Sequence, residues 1–145
     1  DFGMSRGTTD YYSELLRLAD RIKGKVIFTG FVDNAEIPHI LAASDISVIP
    51  SLYEEPGALT IFESLAAGLP IVTTDSGGTP EYINSQCSIV IARNENFVNN
   101  LSAAMKGLII SAERRDAMGK AGTVHVQQYN YNKYYSDLWE ILTNG

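Results

Sequence analysis

One cysteine and two histidines in 145 residues leave little material for several kinds of chemistry. Cys87 alone cannot close an intramolecular disulfide, so the chain is no disulfide-stapled secreted scaffold, and a reducing, cytoplasmic setting fits it. Its place ahead of the apolar run Ile89 to Ile91 reads as a small core residue. His39 and His125 have no cysteine or second histidine at ligand spacing, so no metal site and no cofactor are expected. Basic residues are few as well. Eleven Lys and Arg stand against seventeen Asp and Glu, for a net charge of -6, and they form no cluster that could neutralise a nucleic-acid backbone. No run approaches the ~18 consecutive apolar residues of a membrane span, and the start lacks the order of a signal peptide. Neither Gly-x-Gly-x-x-Gly after a strand nor Gly-x4-Gly-Lys-Ser/Thr occurs, which removes the dinucleotide and P-loop fingerprints.

What is present is an ordinary globular balance, 45% apolar and 19% charged residues, in a length that suits one domain over residues 1 to 145. The opening Asp1-Phe2-Gly3-Met4 reads as a loop, and the expectation is a fragment of a longer protein.

Helical and strand patterns alternate. Tyr11 to Ile22 places Leu15, Leu16, Leu18, Ala19 and Ile22 at helical spacing behind the capping candidates Thr8, Thr9 and Asp10. Lys25 to Thr29, closed by Gly30, has the composition of a buried strand. A helix through Ile37, Ile40, Leu41 and Ala43 leads to a strand at Ile46 to Ile49, stopped by Pro50. A helix near Ala58 to Ala67, a strand at Ile71 to Thr74, a short helix at Pro80 and a strand at Ser88 to Ala92 follow. Three helices near 96 to 110, 112 to 128 and 130 to 142 end the chain. Four strands, apolar on nearly every residue and alternating with helices, predict an α/β fold: a parallel sheet covered on both faces. Ligands of such sheets bind beyond the carboxyl ends of the strands, here the loops after Thr29, Ile49, Thr74 and Ala92.

The loop after Ile49 is the most informative. Glu55 lies in it, Pro56 and Gly57 make a tight, bare approach to the next helix, and Glu63 sits about a turn and a half along that helix. The free amides of Gly57, Ala58, Leu59 and Thr60, at the positive end of the helix dipole, suit a phosphate or diphosphate. A carboxylate repels phosphate but accepts hydrogen bonds from vicinal hydroxyls, so amides flanked by Glu55 and Glu63 describe a nucleotide-sugar pocket. Gly77-Gly78 follows the next strand and reads either as a plain turn or as a second loop facing phosphate or sugar.

These residues resemble a family. Glu55 and Glu63, with seven residues between them and Ser-Leu-Ala-Ala-Gly-Leu-Pro-Ile-Val behind, look like the Glu-x7-Glu motif of the retaining family-4 glycosyltransferases of the GT-B fold. Val26 to Val32, Ala42 to Ser51 and Ser76 to Glu81 match that family in the same order. The resemblance covers residues 10 to 142 and implies the C-terminal, Rossmann-like α/β/α half, which binds the nucleotide sugar. A separate N-terminal domain would hold the acceptor, and an Arg and a Lys that neutralise the donor diphosphate would precede Val26, along with one or two more strands.

By the same resemblance Glu63 holds the ribose, Glu55 acts at the donor sugar, Gly57, Ala58, Leu59 and Thr60 meet the sugar and phosphates, and Gly30, Phe31 and Val32 border the nucleobase. One departure stands out: Ala58 puts a methyl group where many relatives have glycine. The implied activity is metal-independent transfer of a hexose from a UDP- or GDP-hexose with retention, the leaving diphosphate itself deprotonating the acceptor. The fragment alone is expected to be inactive. The alternatives are a non-catalytic nucleotide-sugar-binding domain and a sugar-nucleotide epimerase of the same fold, which would need an acid and a base in the cleft. The aromatic last helix (Tyr129, Tyr131, Tyr134, Tyr135, Trp139) reads as a core face, or by resemblance as the helix that crosses onto the N-terminal domain. Lys106, Arg114, Arg115 and Lys120 read as solvated charges, or as a face toward anionic lipid that would give the full-length protein peripheral membrane association.

Overall fold

The computed structural model describes residues 8 to 144. The expected loop over Asp1 to Met4 lies outside the described residues, as do the capping side chains assigned to Thr8, Thr9 and Asp10. The chain divides into two compact units between Asp33 and Asn34.

The first unit holds α1, Thr8–Ala19, which winds down through Asp20 to Ile22. Tyr12 meets Phe28 edge to face, with ring centroids 5.6 Å apart. The strand expected at Lys25 to Thr29 does not form. An apolar run becomes a strand only where a neighbouring strand supplies hydrogen bonds, and here no ladder forms, so Val26, Ile27 and Phe28 stay exposed.

The second unit contains α2 (Ile37–Ala42), β1 (Ser47–Ile49), α3 (Leu59–Ala66), β2 (Ile71–Thr74), a 3-10 turn at Thr79–Tyr82 and β3 (Ser88–Ile91). Helices α4 (Phe97–Ile109), α5 (Ala112–His125) and α6 (Tyr131–Asn144) follow, with a second 3-10 turn, Val126–Gln128, before α6. The described sheet has three parallel strands in the order β1-β2-β3, not four.

Every residue of β2 is buried because it has a strand on either side and side chains on both faces. Ile71 packs with Ile61, Leu65, Ile83 and Cys87 on one face, and Val72 with Ile91, Leu108 and Met118 on the other. The alternation of neighbouring residues between two cores makes the three-layer, Rossmann-like α/β/α arrangement. The terminal helix departs from the expected core face: no residue of α6 is buried, since α3, α4 and α5 already fill both faces of the sheet. Of its expected aromatic stripe Tyr129, which precedes α6 and is itself part exposed, meets Phe62 and Tyr82 edge to face.

Candidate functional site

At the carboxyl ends of the strands the sheet fastens its own loops. Thr73 Oγ1 donates to the Ile49 carbonyl at 2.9 Å, and Thr74 Oγ1 donates to the Ser51 carbonyl at 2.7 Å. Both threonines are fully buried, so these hydroxyls need such partners, and they set the path by which the chain leaves β1. The loop from Pro50 to Ala58 then returns to start α3.

Gly77 and Gly78 are explained by what lies against them. Gly77 has φ +48°, and a Cβ there would overlap the Glu55 carbonyl oxygen and lie 2.7 Å from its nitrogen. A Cβ on Gly78 would come within 2.8 Å of the Pro56 carbonyl oxygen, and the Gly78 amide donates to the Glu55 carbonyl at 2.9 Å. The glycine pair is therefore the seat on which the Glu55-Pro56 backbone rests, more than a plain turn.

Glu54, which the sequence reading passed over, links the loops after β2 and β3. Its Oε2 accepts from the Gly77 amide at 2.6 Å and its Oε1 from Arg93 Nη2 at 2.8 Å. Arg93 first, and then the Gly77 amide, hold the Glu54 carboxyl below the usual carboxylate range. Arg93 was missed too. It directly follows Ala92, the strand end already marked as a place to look, and is the only Lys or Arg in the loops that leave the three strands.

Glu55 has different company. The Glu55 carboxylate raises the Tyr53 phenol above its ordinary value, first through hydrogen bonding and then through its charge. Helix α3 begins at Leu59 behind Ala58, whose carbonyl accepts from the Ile61 amide at 3.0 Å, and no side chain caps this end. Gly57, Ala58, Leu59 and Thr60 thus lie together at an uncapped helix start, beside Glu55.

Glu63 is exposed on α3 and looks elsewhere. Ile61, Ser64 and Leu65 form the buried face of the helix, and the Ser64 hydroxyl lies 2.7 Å from that of Ser47 on β1, which fixes how α3 is rotated. Glu63 consequently lines a cleft of about 380 Å³ between α3 and α2, with Asn34, Ile37, Pro38 and Leu41 on the other wall. Gly30, Phe31 and Val32 belong to the first unit. Gly30 adopts φ +63° and Phe31 is almost fully exposed.

His125 is occupied structurally. Its Nε2 lies 3.0 Å from the Tyr82 carbonyl and its Nδ1 3.1 Å from Asn84 Nδ2. A carbonyl only accepts, so Nε2 carries the proton and Nδ1 accepts from the amide. Among the described residues no group of three or more His, Cys, Asp and Glu is arranged to hold a metal ion, and no helix is long and apolar enough to cross a membrane.

The model of the family described as glycosyl transferases group 1 matches residues 3 to 125. Spore coat protein SA of Bacillus subtilis is 33% identical over 77% of this chain and 29% of its own length. The GDP-mannose-dependent monoacylated alpha-(1-6)-phosphatidylinositol monomannoside mannosyltransferase of Corynebacterium glutamicum is 32% identical over 83% of this chain and 33% of its own length. HepE of Anabaena, solved in complex with UDP and glucose, superposes with a TM-score of 0.81 at 22% identity, covering 96% of this chain and 38% of HepE. The chain spans about a third of the length of the curated relatives it matches. It belongs to the group 1 glycosyl transferases.

Proposed function

We propose that this chain is the nucleotide-sugar-binding domain of a two-domain glycosyltransferase, which transfers a hexose from a UDP- or GDP-hexose to an acceptor with retention and without a metal. The observation that carries the reading is the uncapped start of α3 between a loop carboxylate and a helix carboxylate. The amides of Gly57, Ala58, Leu59 and Thr60 receive the diphosphate, where the helix dipole favours negative charge. Glu55 acts at the sugar, accepting its hydroxyls. Glu63 accepts the ribose hydroxyls from the α2–α3 cleft. Gly30, Phe31 and Val32 border the base.

The chemistry asked of the protein is electrostatic: it stabilises the charge of the leaving diphosphate, which takes the acceptor's proton on the same face of the sugar. Nucleotide-sugar use is supported by a relative named as GDP-mannose-dependent and by a structural neighbour solved with UDP and glucose. The acceptor lies with the N-terminal domain, so the 145-residue chain alone is inactive. The working location is the cytoplasm. Peripheral contact with anionic lipid falls to Lys106, Arg114 and Lys120, because Arg115 is engaged by Asp45 and by the carbonyls of Leu108 and Ile109.

The test is titration of the chain with UDP and with GDP, followed by amide shifts in NMR. Shifts should centre on Gly57 to Glu63, with dissociation constants in the millimolar range, since the closing domain is not there to help. Shifts confined to α5, or none at saturation, would reject the site. Hexose transfer by the chain alone, free of contaminating enzyme, would reject the division of labour.

A further inference from the structure

Glu54 and Glu55 are neighbours with different fates, and the first is committed to the protein itself. The commitment runs through Arg93. Its Nε donates to Asp75 Oδ1 at 3.1 Å, its Nη2 to Glu54 Oε1 at 2.8 Å and to the Asp75 carbonyl at 3.2 Å, and its Nη1 to the Leu52 carbonyl at 3.3 Å. The Arg93 amide adds a bond to Asp75 Oδ1 at 3.2 Å. One planar guanidinium thereby joins the loops that leave β1, β2 and β3.

Four donated bonds from one side chain, with a fifth from its own amide, are more than surface solubility requires, and only the forked geometry of arginine can supply the four. The carboxylates it gathers would otherwise repel one another. Through Glu54 it also reaches the Gly77 amide, next to the amide that holds the Glu55 carbonyl. We infer that Arg93 is a positioning residue of the donor site, clasping Glu54 and Asp75 so that the 52 to 57 loop presents Glu55 to the sugar. This rests on the function proposed above, and it assigns Glu54, by contrast with Glu55, no contact with the donor.

The clasp and the donor site can be tested separately in the same chain. Hydrogen exchange reads the clasp without any ligand. In Arg93→Ala the amides of Gly77 and Gly78 should exchange at least tenfold faster than in the wild type, while Val72 and Thr73 in β2 hold their rates. Glu54 is mostly exposed, so Glu54→Ala leaves the core intact and should accelerate the same two amides should Arg93→Ala fail to fold. Arg93→Lys, a single point charge, should restore less than half of the lost protection.

Affinities for UDP, GDP, UDP-glucose and GDP-mannose then read the positioning. The preference for the matching nucleotide sugar over its free diphosphate should fall at least threefold in Arg93→Ala, with affinity for the free diphosphate changed less than twofold. Unchanged exchange at Gly77 and Gly78 in both variants would overturn the clasp. Equal losses for sugar and diphosphate would overturn the positioning of Glu55. A wild-type chain that binds none of the four probes would overturn the donor site itself, whatever the exchange data say of the clasp.

Discussion

Glu55 sits on a loop tied by polar links to two other loops, whereas Glu63 rides on a helix locked by its buried face. The loop depends on Glu54, Arg93, Asp75 and the bare backbone of Gly77 and Gly78. The helix depends on Ile61, Ser64 and Leu65, all within 1% of full burial. Links of the first kind respond to charge, pH and small steric insults, and those of the second kind respond to loss of volume or of a hydrogen bond in the core. The sugar end of the site should therefore be the adjustable one and the ribose end the constant one.

The largest effect should come from Gly77→Ala. The new methyl group meets the Glu55 backbone, which cannot swing aside as a side chain would, and the positive φ adds strain. Overpacking alone costs about 1 to 3 kcal/mol, and forcing an L-residue into the left-handed region about 1 to 2 more. Gly57→Ala is the control: its methyl meets only the Tyr82 ring, at an ordinary 3.5 Å, and the midpoint of urea denaturation should barely move. Comparable losses in the two variants would mean that the seat under Glu55 is not special.

Next in size are the carboxylates. Glu63→Ala should weaken nucleoside diphosphate and nucleotide sugar alike, by about 1.5 to 3 kcal/mol, since both carry the ribose. Glu55→Gln keeps the size but loses the charge, and in the two-domain enzyme it should lower turnover and sugar discrimination while leaving UDP or GDP binding nearly unchanged. If Glu55→Gln weakened the free diphosphate as much as Glu63→Ala did, the division between sugar end and ribose end would fail. Ala58, with its methyl group at the helix start, would then be the first place to look for a rearranged loop.

Ser64→Ala probes the helix side directly. It leaves the Ser47 hydroxyl without its partner, at a cost of about 1 to 3 kcal/mol. The double variant Ser47→Ala/Ser64→Ala removes both polar groups and should recover part of that loss. Thermal denaturation of the four proteins closes the cycle, and strict additivity would show that the pair does not set the rotation of α3.

Comparing two apolar runs shows what a single sequence can carry. Ile71 to Thr74 and Lys25 to Thr29 both read as buried strands, yet one forms the centre of the sheet and the other none of it. Periodicity records the preference of a segment, but a strand is completed by its neighbours. The helices behaved better because their hydrogen bonds are internal: α3 and α4 fall within a residue or so of their expected bounds. The helix expected over 112 to 128 tightens into a 3-10 turn after His125, a change that spacing of apolar residues does not register. At the candidate site, Glu55 and Glu63 were singled out through the resemblance of their motif to a family, whereas Glu54 and Arg93 were not. Their pairing joins positions far apart in the chain, and neither residue type nor local pattern announces which surface charge will find which.

The smallest expected effect is a pH dependence confined to the loop. Glu54 has its carboxyl held below the ordinary range, first by the hydrogen bond from Arg93 and then by that from the Gly77 amide. A group whose folded-state value is lowered contributes stability that is fully present above its unfolded value, and that contribution disappears as pH falls through the folded value. Acidification below the ordinary carboxylate range should therefore loosen the Gly77 amide before the core responds. Glu54 is exposed, so the change should appear as local opening and not as global unfolding. Hydrogen exchange at Gly77, corrected for the intrinsic pH dependence of exchange and compared between wild type and Glu54→Gln from pH 6 to pH 3, measures it. In the wild type protection should fall across that window, and in Glu54→Gln it should start lower and stay flat. An equal fall in both proteins would rule out the Glu54 carboxyl as the group that holds the Gly77 amide.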